Sequence, residues 1–239
     1  MASPVTSHGP PEAWPVRCAP GWFGGLPVLV AGLGRSGRAA ARHLAEAGAD
    51  VVACDDAPDL DTGELAAFGV KTHLGPAGPG LLEGRALLVV APGLPEAHPL
   101  IQAALAVGIP VWSEIELAAR VAAMPLVGVT GTNGKTTTTE LAAAMLTASG
   151  VQAVAAGNVG LPLVDAVLGR HPPEAVVVEL SSFQLRFTWA LHLQAGAWLN
   201  FAADHLDWHP DLAAFRKAFE QAVGFITAGA TPASAIAAR

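Results

Sequence analysis

Two glycine-rich turns, each set between a short apolar run and a segment of helical period, constrain this chain more than any other feature. An apolar run that stops at glycines and reopens as an amphipathic helix is the sequence form of a strand, loop and helix unit. Such units bury their strands on both faces when they assemble into a parallel sheet flanked by helices. The first turn, Gly32-Leu33-Gly34-Arg35-Ser36-Gly37, follows the run LPVLVAG at 26–32. The second, Gly131-Thr132-Asn133-Gly134-Lys135-Thr136-Thr137, follows LVGVT at 126–130.

The same rhythm extends along the chain. Strands are expected at 50–54, 86–91 and 109–112, and again at 152–155, 175–180 and 196–199. Helices are expected at 36–48, near 61–68, at 99–107 and at 113–123. The first carries Ala40, Leu44 and Ala47 on one face and Arg38, Arg42 and Glu46 on the other. The pattern restarts at Met124-Pro125. This predicts an α/β chain in which a Rossmann-like domain (25–123), after a loose Pro-rich lead-in (1–24), precedes a partial P-loop-type parallel domain (124–239). Leu141 and Met145, on the helix after the second turn, are expected in the core.

Charge and composition exclude several function classes. The net charge of −7, with no dense Lys or Arg run, argues against nucleic acid. Hydrophobic residues reach 52%, yet Gly, Pro, Asp or Arg breaks each apolar run before about 18 residues, so membrane insertion is not expected. Cys18 and Cys54 offer at most one bridge and no metal spacing, and the first residues lack a signal-peptide pattern. A cytoplasmic protein is expected. No oligomerisation seam stands out, and a monomer is the expectation.

Each turn has a chemical reading and a bland one. In the first, Gly32 permits a tight turn, Gly34 lets backbone approach a pyrophosphate, and Gly37 allows close packing of helix on strand. Asp55 and Asp56, ending the next strand, can accept from ribose hydroxyls or a base N–H. The bland reading is a tight turn alone. In the second, loop amides surround phosphates, Lys135 adds a point charge and the Thr136 hydroxyl can bind Mg²⁺. Val129 stands where a strict P-loop has glycine, so the loop is a variant. Glu179 closes an apolar strand at the ligand edge of a parallel sheet and is a metal-ligand candidate, against an ordinary exposed strand-end Glu. The string Asp204-His205-Leu206-Asp207 offers a second metal site or merely a solvated loop.

Taken together, GLGRSG, GTNGKTTT, the Gly157-Asn158-Val159-Gly160 turn, ELSSFQL and DHLD, in this order and spacing, resemble the Mur ligases of peptidoglycan synthesis over roughly residues 26–216. The resemblance implies a uridine-nucleotide-binding first domain, a central ATPase domain and a third domain beyond. By position, Arg35, Ser36, Asp55, Asp56 and Gly93 would contact the UDP part of the substrate, and Asn158 would lie nearer its reacting end. Residues Gly131, Thr132, Asn133, Gly134, Lys135, Thr136 and Thr137 would hold the ATP phosphates. Thr136 and Glu179 would take a first Mg²⁺ and His205 a second, with Lys135, Glu179 and His205 as the catalytic set. The implied substrates are ATP, UDP-N-acetylmuramoyl-L-alanine and D-glutamate, joined through an acyl phosphate.

The match fails at one place. The family carries a carbamylated lysine about fifteen residues beyond the histidine, where this chain has Phe219 or Glu220. Lys217 lies two residues short, about 200° around a helix. The following AVGFITAGATPASAIAAR reads as a small-residue tail without strand and helix alternation, so a truncated or frame-shifted ligase is expected. Two alternatives stay open: a nicotinamide-dependent oxidoreductase, resting on GLGRSG and Asp55 alone, and a nonenzymatic uridine-nucleotide-binding remnant.

Overall fold

The computed structural model describes residues 14–202, 211–226 and 235–237. The first sheet contains β1 (Pro27–Ala31), β2 (Asp50–Asp55), β3 (Lys71–Leu74), β4 (Leu87–Val90) and β5 (Val111–Ser113). Its order is β3-β2-β1-β4-β5, parallel throughout. β4 reads LLVV without a polar residue because all four side chains are buried. α1 (Arg35–Glu46), α2 (Gly63–Ala66) and α3 (Pro99–Val107) connect these strands. Gly48, at φ +87°, lies just beyond α1 in a conformation that side chains rarely adopt, where the sequence placed the stop. Since β1 and β4 are neighbours in the sheet but not in the chain, strand order reverses between them, and a crevice opens at their carboxyl ends.

α4 (Glu114–Val121) joins this sheet to the second one. Seven of its eight residues are buried, including Glu114, Glu116 and Arg120. Charges are tolerated inside a protein only where partners replace water. Glu116 accepts from Arg120 through Oε1 (2.6 and 2.8 Å) and from the backbone N–H groups of Trp189 and Ala190 through Oε2 (2.7 and 2.8 Å). Arg120 also donates to the Pro15 carbonyl and lies 4.3 Å over the Trp112 ring. Glu114 Oε1 accepts from Val164 N at 2.6 Å, and full burial pushes its carboxyl up to about 8, so it is a neutral acid at pH 7.

The second sheet comprises β6 (Leu126–Thr130), β7 (Ala153–Gly157), β8 (Ala175–Glu179), β9 (Ala195–Trp198) and β10 (Ala235–Ala237), ordered β10-β9-β6-β8-β7 and again parallel. α5 (Lys135–Ala148), α6 (Leu163–Leu168), α7 (Ser182–Arg186) and α8 (Leu212–Gly224) complete the fold. Among the described residues no helix is long and apolar enough to cross a membrane.

Four expectations need correction. Leu141 and Met145 are not core residues: they are 58% and 62% exposed, because α5 turns Thr139 and Ala143 inward and residues two positions away point about 200° from that face. The segment after residue 221 is not a featureless tail, since α8 runs to Gly224 and Ala235–Ala237 adds a parallel strand beside β9. The lead-in is not loose from Trp14 onward. Trp14 and Trp22 pack edge-on with ring centroids 4.9 Å apart, Trp14 meets Trp112 at 5.0 Å, and Cys18 N donates to Arg120 O. Finally, β3 escaped the pattern because an edge strand with three exposed residues, Lys71, Thr72 and His73, has no buried run to betray it.

Candidate functional site

The second glycine-rich turn leaves the end of β6, the strand between β8 and β9. Thr130 Oγ1 donates to Leu180 O at 2.8 Å, tying the base of the loop to the end of β8. Gly131 adopts φ +140°, a conformation that side chains rarely adopt, and a Cβ there would crowd the Asn200 backbone just beyond β9 at 3.2 Å. Asn200, just beyond β9, clamps the loop: its Oδ1 accepts from Asn133 N and its Nδ2 donates to Asn133 O, both at 2.9 Å. Gly134, at φ +81°, caps α5 without a side chain, leaving the helix amides to a ligand. Lys135 Nζ donates to the carbonyls of Gly131 (2.9 Å) and Thr132 (3.0 Å), and its ammonium is held against the loop.

Beside this loop sits a buried carboxylate. Glu179, 2% exposed, accepts from Thr136 Oγ1 at 2.7 Å and from Asn158 Nδ2 at 3.0 Å. Gly157 makes that possible, because at φ +115° it passes so near that a Cβ would fall 2.3 Å from Glu179 O. The structure therefore brings Lys135, Thr136, Asn158 and Glu179 together, and the exposed strand-end alternative for Glu179 fails on its burial. Thr137 is exposed on the first turn of α5. The donor set is one carboxylate and one hydroxyl. It suits a hard cation that takes its other ligands from phosphate and water, as Mg²⁺ does, and no group of three His, Cys, Asp or Glu gathers among the described residues.

The first turn is built differently. Gly32 adopts φ +88°, and a Cβ on Gly37 would lie 1.8 Å from Gly32 O, so α1 starts in direct contact with the turn. Gly34 needs no such freedom: a Cβ there meets nothing within 4 Å, leaving open space at the turn. The Leu33 amide is already engaged, donating to Asp55 Oδ2 at 2.6 Å, while Asp55 Oδ1 accepts from Ala57 N at 2.9 Å. Asp56 accepts from Ala77 N at 3.0 Å and lies 3.1 Å from His98 Nε2; the Ala77 amide and then His98 hold it below the usual carboxylate range. His98 Nδ1 accepts from Leu100 N, which leaves the proton of the neutral ring on Nε2, facing Asp56. A cavity of about 80 Å³ lies here, with Gly32, Asp55, Asp56, Leu94 and His98 in its lining. Arg35 and Gly93 are exposed and Ser36 half-buried around the same edge. Arg35 also lines a cleft of about 310 Å³, with Arg38, Arg42, Leu161 and Asp165, between α1 and the segment after Asn158.

Residues 27–113 match the Mur ligase MurD-like N-terminal domain, and residues 129–231 match the Mur ligase middle domain. The chain belongs to the Mur ligase family. It is 50% identical over 203 residues to a UDP-N-acetylmuramoylalanine–D-glutamate ligase of Frankia casuarinae, covering 82% of this chain and 42% of that protein. The corresponding ligase of Streptomyces coelicolor is 43% identical over 206 residues (82% and 44%), and that of Mycobacterium avium 45% over 201 residues (81% and 40%). The chain thus spans less than half the length of the curated relatives it matches. Among solved structures, a murein peptide ligase from Psychrobacter arcticus superposes with a TM-score of 0.56 at 18% identity, covering 90% of this chain and 49% of that one. A UDP-N-acetylmuramate–alanine ligase from Thermotoga maritima gives 0.51 at 22%, covering 84% and 47%. These share the fold.

Within this Mur ligase chain, His205 and its neighbours Asp204 and Asp207 lie outside the described residues. Of the two residues that the resemblance puts at the modified lysine's place, Phe219 is buried, its ring 4.9 Å from Phe215 and 5.9 Å from Trp198, and Glu220 is exposed, as is Lys217. That face of α8 packs a core. Sequence reasoning missed Asn200 and His98 as parts of the two sites. Asn200 directly follows an apolar strand, which was the available signal; His98 carried none, because its partner Asp56 is distant in sequence.

Proposed function

We propose that this chain is the uridine-nucleotide-binding and ATP-binding part of a ligase that adds D-glutamate to UDP-N-acetylmuramoyl-L-alanine. Residues 25–123 take the UDP moiety and residues 124–239 take Mg-ATP. The observation that carries the reading is the cluster of Lys135, Thr136 and Glu179 at the mouth of α5, on the same chain as a second glycine turn flanked by carboxylates. A nicotinamide oxidoreductase would leave that cluster without a role. The reading has the chain working as a monomer in the cytoplasm, where both nucleotides occur; Cys18 and Cys54 are free and buried, in keeping with reducing surroundings.

The chemistry follows from the charges. A carboxylate is a poor acyl donor until one oxygen becomes a leaving group, which transfer of the γ-phosphoryl group supplies; the amine of D-glutamate then displaces phosphate from the acyl phosphate. Two anionic reactants approach only where positive charge is fixed in advance. Lys135 and the amides at the start of α5 face the transferring phosphates, and Thr136 and Glu179 would hold Mg²⁺, which when bound would neutralise phosphate charge. Asn158, fixed by Glu179, would lie near the reacting end of the acceptor, with Arg35, Ser36, Asp55, Asp56 and Gly93 contacting its UDP end. By the resemblance, His205 would hold a second cation.

Calorimetry separates the readings. UDP-N-acetylmuramoyl-L-alanine should bind, and Asp55→Ala should weaken it, whereas NADH should not bind. Tight NADH binding with no response to the uridine nucleotide would overturn the assignment.

A further inference from the structure

An ion pair joins the segment beside the first candidate site to the short helix that follows Glu179. The Glu96 carboxylate accepts twice from Arg186, from Nε at 2.9 Å and from the terminal nitrogen at 2.7 Å, a two-point geometry that fixes orientation as well as distance. Both side chains are about three-quarters buried, at 22% and 25% exposure. Such a pair is less screened than one in open solvent.

The two partners occupy telling positions. Glu96 belongs to the segment between β4 and α3 that carries Gly93, Leu94 and His98. Leu94 reaches into the space that Gly32 leaves, since a Cβ on Gly32 would lie 2.6 Å from Leu94 Cδ1, and His98 faces Asp56. The Glu96 carbonyl is itself held by Gln102 Nε2 at 2.8 Å. This segment therefore forms one wall of the first cradle. Arg186 ends α7, which begins three residues after Glu179. A reciprocal cap stiffens that helix: Ser181 Oγ accepts from Gln184 N, and Gln184 Oε1 accepts from Ser181 N. The next residues are pinned as well, by Ser113 N to Phe187 O at 2.8 Å and by Ser113 Oγ to Thr188 Oγ1 at 2.7 Å. Arg186 and the end of α7 nearest Glu179 thus belong to one capped helix of five residues.

We propose that Glu96 and Arg186 are positioning residues that couple the two sites, so that a uridine nucleotide ordering the 91–98 segment also fixes the Glu179 end of α7 for Mg-ATP. The inference rests on the two-nucleotide reading above. Coupling of this kind is reciprocal, each ligand tightening the other by the same factor.

The test titrates the chain with UDP alone, with a non-hydrolysable Mg-ATP analogue alone, and with each in the presence of the other. In the unaltered chain, saturating UDP should tighten the analogue about fivefold or more. Glu96→Arg and Arg186→Glu should each bring that factor within about twofold of unity while leaving each single-ligand affinity nearly unchanged, and the double exchange, which restores the pair in reverse, should restore the coupling. Glu96→Gln, which keeps shape and loses charge, should behave as the single variants do and guards against misfolding by charge reversal. If breaking the pair only lowers the melting temperature and leaves the factor intact, that overturns the proposal. So does binding of both ligands without coupling in the unaltered chain. If one nucleotide fails to bind at all, the two-site reading itself falls and the coupling with it.

Discussion

The two glycine turns end parallel strands in similar sheets, yet they are held by different means. The first is closed by close packing, α1 touching the turn at Gly37, with the Leu33 amide already given to the Asp55 carboxylate. The second is held by side chains, with Asn200 clamping Asn133 and Lys135 folded over two loop carbonyls. A turn whose amide is filled by a carboxylate presents acceptors, fit for hydroxyl and base N–H groups. The second also gives its Thr132 and Asn133 amides to Asn200, but the amides that open α5, with an ammonium beside them, present donors, fit for phosphate. The same glycine-rich signal thus serves opposite polarities.

The sharpest way to break this contrast is at Gly37. Gly37→Ala places a methyl 1.8 Å from Gly32 O and should cost about 3 kcal/mol or more, seen as a large fall in melting temperature, whereas Gly34→Ala in the same turn should be near neutral. Equal effects would show that the first turn is not closed by backbone packing.

The joint between the two halves responds to pH. Glu114 is raised to about 8, from an ordinary value near 4.5 in the unfolded chain. Between those values the folded state keeps a proton that the unfolded state has lost, so stability falls as pH rises through the window, by up to about 1.4 kcal/mol per unit. Asp165, in the same junction, acts only at lower pH: burial raises its pKa, but His43 and Arg42 outweigh that and hold it below the usual range, so its contribution is full across this window and is lost only as pH falls below about 4. Denaturant midpoints measured from pH 5 to 8 should fall in the unaltered chain and fall less in Glu114→Gln.

Smaller effects follow. Asn200→Ala removes two hydrogen bonds to Asn133 and should cost about 1–2 kcal/mol by chemical denaturation, with a weakened response to Mg-ATP and an unchanged one to UDP. Leu141→Gln and Met145→Gln, on the exposed face of α5, should each shift stability by under about 0.5 kcal/mol.

What the sequence revealed follows the reach of each interaction. The parallel sheets, the span of α3 and the strand before the second turn were legible because glycine placement and apolar runs act locally. Glu179 was legible as a carboxylate at a strand end. The inward face of α5 was not, because its Ala- and Thr-rich surface carries no decisive stripe and the sheet alone selects Thr139 and Ala143. Nor were the buried charges of α4, whose partners Val164, Trp189 and Ala190 lie 50 or more residues away.

The most direct test of two separate cradles of opposite polarity is a crossed thermal-shift measurement on the unaltered chain, Lys135→Ala and Asp55→Ala, each with saturating UDP or Mg-ATP. Ligand at about 100 times its dissociation constant adds roughly 2.7 kcal/mol, a readable shift. Lys135→Ala should lose most of the Mg-ATP shift and keep the UDP shift, and Asp55→Ala should do the reverse. If either substitution removed both shifts, or neither removed any, the account of two separate cradles would be contradicted.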